Sequence, residues 1–194
     1  MPRIAPQCDQ DWAPELKTFM TGYRSAVIGD DGVAAARPAG ANAFGVLARH
    51  PALATAFLAF SGHLQYRSTL PGRYRELLIL RVAVLRKCAY EWAQHVLLAA
   101  DAGLTEAEIS RVRTGPDAPP WTPLERALLR AADELVGVAT ISDATWATLA
   151  AGLTEHQLMD LVFTVGAYEM VAMTFHALGV EPDSDMAPYL PTEW

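Results

Sequence analysis

Residues 88–95 read CAYEWAQH, and they place a thiol, a carboxylate and an imidazole within eight positions. On a helix, offsets of three, four and seven bring Cys88, Glu91 and His95 onto one face within about two turns. His95 can take or give a proton near neutral pH, and Glu91 lies within its reach one turn earlier. Cys88 would sit in the first turn, where the helix dipole and unpaired amides favour a thiolate, while the nearby carboxylate opposes it. The group therefore has the parts for proton transfer. The same spacing also suits an exposed Glu–His pair beside a small buried cysteine, so the residues alone leave both readings open. A metal site assembled from Cys88, Glu91, His95 and Glu76 matches no standard zinc spacing.

The elements that must position these side chains are legible as helices. Thr105 with Glu108, Thr122 with Glu125 and Thr154 with Gln157 match the capping box, and Pro123 stands at a first helical position. Gly103 and Gly152 sit where preceding helices should stop. Helices are predicted over Gly72 to Lys87, Cys88 to Ala102, Glu106 to Arg113, Pro123 to Leu135, Asp143 to Ala151 and Glu155 to Leu178. From Phe44 to Arg67 apolar spacings of three and four, broken at Pro51, predict a helix pair. No segment alternates with period two, so the class is all-α. The expected organisation is an N-terminal arm (1–40, with a short helix near Ala13 to Tyr23), a helical domain (41–180) and a C-terminal tail (181–194). A shift of 49 residues aligns Pro71, Glu76, Leu80, Arg81, Ala83 and AGLTE (102–106) with Pro120, Glu125, Leu129, Arg130, Ala132 and AGLTE (151–155). In that alignment Cys88, Glu91 and His95 fall opposite Gly137, Thr140 and Ala144, so only the first copy carries polar chemistry.

At 194 residues the chain suits one domain with a substantial core. Its net charge of -7 and lack of a Lys/Arg cluster argue against nucleic acid. Two distant cysteines make no disulfide framework and fit a reducing compartment. The start has no apolar export segment, and the most apolar window (158–180) contains Asp160, Glu169 and His176, so a cytoplasmic protein without membrane insertion is expected.

The segment RYRELLILRVAVLRKCAYEWAQHVLLAADAGLTEAEI resembles the helical hairpin of the carboxymuconolactone decarboxylase family, which includes the alkyl hydroperoxidase D-like proteins. The peroxidase branch carries Glu, eleven residues, Cys-x-x-Cys, three residues and His. Glu76, Cys88 and His95 match its glutamate, first cysteine and histidine, and Glu91 replaces the second cysteine. The resemblance runs from about Asn42 through TISDATWATLA and the last long helix. It implies an alkyl hydroperoxidase D-like helical domain, homo-oligomers (trimers or hexamers) and a small-molecule substrate. Disulfide-type peroxide reduction needs two thiols, and this hairpin has one. The lactone decarboxylase branch also lacks the pair and works by acid and base chemistry.

The expected function is thus a cofactor-independent, metal-free lyase, decarboxylase or isomerase acting on a small carboxylated or enolisable molecule. His95 would carry the proton, Glu76 would orient it, Glu91 would be the second acid or base, raised by desolvation, and Cys88 would donate a proton or shape the pocket. The alternatives are a thiol peroxidase using Cys88 with an external reductant, and a non-catalytic member of the family. His63 and Tyr66, from the preceding helix, and Tyr168 and His176, from the last, are the candidate substrate-binding residues. Met173 is expected in the core and His156 in solvent.

Overall fold

The run LLILRVAVL (77–85) offers no polar face, so a helix built from it must be enclosed on every side. In the computed structural model of the chain, which describes residues 2–28 and 40–194, that is its position. Nine α-helices follow one another among these residues: α1 (Pro14–Ile28), α2 (Ala41–Leu47), α3 (Pro51–Tyr66), α4 (Gly72–Arg86), α5 (Ala89–Asp101), α6 (Glu106–Thr114), α7 (Pro123–Val138), α8 (Asp143–Gly152) and α9 (Glu155–Leu178). No strand occurs among the described residues. Helix α4 is the axis. Leu77, Leu78, Ile79, Leu80, Val82 and Ala83 are wholly buried, and α4 packs against α5, α6, α7 and α9.

Two apolar clusters flank this axis. Leu78 and Val82 meet α7, α8 and α9 through Leu128, Leu149 and Leu161, while Leu77 and Leu80 meet α5 and α6 through Trp92, Ala99 and Val112. All three capping boxes form with both reciprocal hydrogen bonds, which explains why the starts of α6, α7 and α9 agree with the sequence reading. Helix α7 runs three residues past the expected end and stops at Ala139 in the left-handed region. The helix order α4–α5–α6 recurs as α7–α8–α9, in step with the 49-residue internal repeat.

The N-terminal helix α1 is longer than the Ala13 to Tyr23 expectation, and its Leu16 and Met20, with Trp12 just ahead of it, pack on Ala54 and Leu58 of α3. Ahead of it the chain passes so close to α2 that a Cβ at Gly45 would lie 2.8 Å from the Gln7 carbonyl oxygen. The remainder of the expected arm, residues 29–39, lies outside the described residues. At the other end, a 3-10 turn (Ser184–Tyr189) seals α5 with the fully buried Met186.

The Arg81 guanidinium holds the outer helices to the axis. It donates to both Asp133 oxygens on α7 (2.5 and 3.2 Å) and to the Val112 and Arg113 carbonyls closing α6 (3.0 and 2.9 Å). Arg81→Leu leaves a carboxylate and two carbonyls without their donor, so urea unfolding should show a loss of about 3–5 kcal/mol.

Candidate active site

The turn between α4 and α5 is two residues long. Lys87 adopts φ +52°, its amide bonds the Val84 carbonyl (3.1 Å), and the Cys88 amide bonds the Ala83 carbonyl (2.8 Å), the pattern of a Schellman cap. Cys88 is therefore the N-cap of α5 rather than its first helical residue. Because the turn is so short, α5 folds back along α4, and a residue midway down one helix faces a residue midway down the other.

Glu76 and His95 meet in this way. His95 Nδ1 lies 2.7 Å from Glu76 Oε2, with Glu76 wholly buried and His95 7% exposed. The other carboxylate oxygen accepts from Gln65 Nε2 (3.2 Å) and Arg75 Nε (3.1 Å). Burial pushes the Glu76 carboxyl up, but His95, Arg75 and Gln65 outweigh it and hold it below the usual carboxylate range. An ionised carboxylate only accepts, so Nδ1 carries the proton and donates, and Nε2 is the ring nitrogen that Glu76 does not engage.

Tyr168 of α9 closes the arrangement from the far side. Its hydroxyl donates to Gln65 Oε1 (3.0 Å), and its ring lies edge-on to the His95 ring, 4.9 Å between centroids. Burial, then the neighbouring Glu76 and Glu91, keep this phenol protonated well above its ordinary range. The imidazole is thus clamped by a hydrogen bond at Nδ1 and by an aromatic edge.

Glu91 differs from Glu76 in every respect that sets a carboxyl's charge. Both its oxygens are buried without a hydrogen-bond partner, and its nearest polar company is the Cys88 thiol. Burial drives its pKa well above the ordinary range, partly offset by Cys88, and Glu169 adds to the rise. Glu91 lies within helical reach of His95 but does not bond it; the imidazole pairs with Glu76, nineteen residues back. The opposing pulls on the Cys88 thiol, helix start against carboxylate, resolve toward the protonated form. Cys88 is buried, and burial together with the Glu91 charge pushes its thiol far up.

The remaining sequence candidates divide. Tyr168 stands within the cluster, and Tyr66, 44% exposed, borders Tyr168 at its edge. His63 is exposed, lining a cleft between α1 and α3. His176 is exposed and bonds the Arg86 carbonyl (2.9 Å), away from Glu76 and His95. Met173 is 63% exposed rather than core, whereas His156 is exposed as expected. Gln65 and Arg75 were not anticipated. Gln65 left a signal: it continues the buried stripe Ala54, Leu58 of α3 at helical spacing, and a polar residue on an apolar stripe needs a partner.

Residues 51–134 match the carboxymuconolactone decarboxylase family. None of the curated proteins matches the chain. Among solved structures, an uncharacterised peroxidase-related protein from Ralstonia eutropha, described as an alkylhydroperoxidase core, is 20% identical over 89% of this chain and 91% of that one, with a TM-score of 0.71. A peroxidase-related protein from a Silicibacter species is 19% identical over 95% of each chain, also at 0.71. A debrominase is 14% identical over 96% of this chain and 95% of that one, at 0.75; its cysteine-to-alanine variant was solved with 2,3,4-tribromopyrrole. These likenesses show a shared alkyl hydroperoxidase D-like fold.

Two outcomes follow from the two carboxyls. Glu91 is protonated in the folded chain above the pH, about 4.3, at which it ionises in the unfolded chain. The folded state then binds the extra proton, so stability falls as pH rises from there toward the raised folded value. Glu91→Gln removes that slope. Its Tm advantage over the parent should widen from pH 5 upward, by up to about 1.4 kcal/mol per pH unit; parallel Tm–pH curves would contradict a buried neutral Glu91. Gln65→Leu strips Glu76 and Tyr168 of a partner each and should cost about 1–3 kcal/mol in urea unfolding.

Proposed function

We propose that the chain is a member of the carboxymuconolactone decarboxylase/alkyl hydroperoxidase D-like superfamily, whose family model matches residues 51–134, and that it is a cofactor-independent acid/base enzyme acting on a small carboxylated or enolisable molecule in the cytoplasm. The observation that carries this reading is the buried ionised Glu76 hydrogen-bonded to His95 Nδ1, with a second, neutral carboxyl at Glu91. Two carboxyls pushed in opposite directions are a division of labour between a charge that orients a base and an acid that donates.

His95 Nε2 is the proton carrier. In a decarboxylation, the bond from the α-carbon to the carboxylate breaks, its electron pair passes into the conjugated carbonyl as a dienolate, and carbon dioxide leaves. The imidazolium then delivers its proton to carbon, and the neutral ring recovers a proton from solvent. Glu76 stabilises the imidazolium and fixes the ring, while the Gln65 amide and Arg75 keep that carboxylate ionised. In an isomerisation the same imidazole removes the proton and returns it one carbon away. Glu91, carrying its proton without another acceptor, is the acid that can hydrogen-bond an enolate oxygen.

The thiol-peroxidase alternative requires a thiolate at Cys88, and burial beside Glu91 opposes one. A panel of carboxylated lactones and β-keto acids, followed by carbon dioxide release and deuterium uptake from solvent, separates the readings. Turnover should fall at least about 100-fold in His95→Ala and Glu76→Gln, with Cys88→Ala remaining within about tenfold of the parent. An active His95→Ala, or hydroperoxide reduction that vanishes with Cys88→Ala, would refute the acid/base reading.

A further inference from the structure

Helices α1 and α3 lie side by side, and along part of their length they leave a cleft of about 410 Å³, within the size range of small-molecule sites. None of Gln65, Glu76, Glu91 and His95 lines it. The geometry of α3 accounts for the separation: at about 100° per residue, His63 stands about 200° round the helix from Gln65, and Gln65 is the residue that bonds Glu76. The cleft is therefore on the other flank of α3. One wall is aromatic: Phe19 and Tyr23, one turn apart on α1, stack with centroids 5.9 Å apart and planes 24° from parallel. Gly62 of α3 admits the Tyr23 ring, since a Cβ there would lie 2.7 Å from Tyr23 Cε2. Gly22 of α1 has no such reason. It lines the cleft, and a Cβ there would meet nothing within 4 Å, although a glycine inside a helix costs about 1 kcal/mol relative to alanine. A side chain at that position would occupy the cleft itself.

Two basic side chains, His63 and Arg67, line the same cleft at the end of α3. A cation there answers the helix dipole, but that leaves the guanidinium's donors unused. Arg73, Arg75, Arg81, Arg86 and Arg130 each pair with a carboxylate, whereas the exposed Arg67 guanidinium makes no ion pair or hydrogen bond among the described residues. His63 neighbours Asp160, whose carboxylate is already taken by Ser68 and Thr69 at 2.6, 2.7 and 3.1 Å. In a chain of net charge -7, such a pair beside stacked rings selects an anion with a flat apolar body. We propose that the cleft is a second ligand site, separate from the His95 centre, for a small aromatic carboxylate. The Arg67 guanidinium takes the carboxylate through paired N–H donors, and the His63 ring adds a hydrogen bond. The ligand's ring lies over Gly22 against Phe19 and Tyr23. Through Tyr66, which lines the cleft and borders Tyr168, the site adjoins the His95 cluster without entering it.

Calorimetric titration of the full chain with 2-naphthoate should show saturable binding. Two analogues, 2-naphthamide (ring without charge) and cyclohexanecarboxylate (charge without a flat ring), should each bind at least about tenfold more weakly. Arg67→Gln should weaken 2-naphthoate by about tenfold and leave 2-naphthamide unchanged. Gly22→Leu fills the cleft from a helix that it does not disturb, so binding should vanish while Tm stays at or above that of the parent. His95→Ala should bind 2-naphthoate as the parent does, whether or not His95 proves to be a catalytic base. No binding at millimolar 2-naphthoate, equal affinity for the amide, binding that survives both Gly22→Leu and Arg67→Gln, or binding lost in His95→Ala would each overturn the proposal.

Discussion

An ionised carboxylate enclosed in the middle of a helical core is the constraint around which this fold is organised. Glu76 stands on the most deeply buried helix, where a bare charge would cost several kcal/mol after relaxation. Three donors from three directions remove that penalty: the imidazole from α5, the amide from α3 and a guanidinium from its own helix. Each must arrive within hydrogen-bond distance, which fixes how α3 and α5 lie against α4. The tyrosine on α9 then bonds the same amide and packs on the same imidazole, so four helices are registered by one carboxylate.

That arrangement also holds His95 rigidly: the imidazole is constrained at Nδ1 by Glu76 and on its ring by Tyr168. A base held in this way spends little on reorganisation when a proton moves. Much of the buried polar network is paired, but both Glu91 oxygens and the Thr164 hydroxyl on α9 lack a hydrogen-bond partner. Unpaired buried polar atoms are costly in a resting protein, and their persistence at a site with a poised imidazole is the pattern expected where a substrate supplies the missing bonds.

Local signals in the chain specify the helices far better than they specify who meets whom. Thr105, Thr122 and Thr154 announce their helices because capping is settled within four residues. Likewise the run of α4, apolar on every side but for Arg81, can only be a buried axis. The pairing of His95 is different. Spacing within α5 favours Glu91, one turn away, and the hairpin geometry favours Glu76 instead; only the longer motif, reaching back across the turn, carries that information. Gln65 is harder still, since its contact with Glu76 depends on how α3 lies over α4 and α9. His63, one turn from a buried position by number, faces away because α3 presents the Ala54–Leu58–Gln65 stripe inward. Met173 was misplaced for a related reason: an apolar residue on a helix that is apolar all round has no pattern to say which side the body occupies.

The substitution of a carboxyl for a second thiol in the Cys-x-x-Cys position has a simple electrostatic consequence. Residues three apart at the start of α5 are neighbours, and here both are buried. Two thiols at those positions can share electrons as a disulfide, and one thiolate is stabilised by the other's proton. A carboxyl in place of one thiol cannot form that bond, and its charge opposes the thiolate that would begin it. Burial holds Glu91 toward its protonated form, and burial together with the Glu91 charge does the same for the Cys88 thiol. The pair thereby keeps its protons in the folded chain. A carboxyl at the second-cysteine position therefore closes the disulfide route that a two-thiol hairpin offers, which is what favours the proposed proton-transfer reading over a redox one.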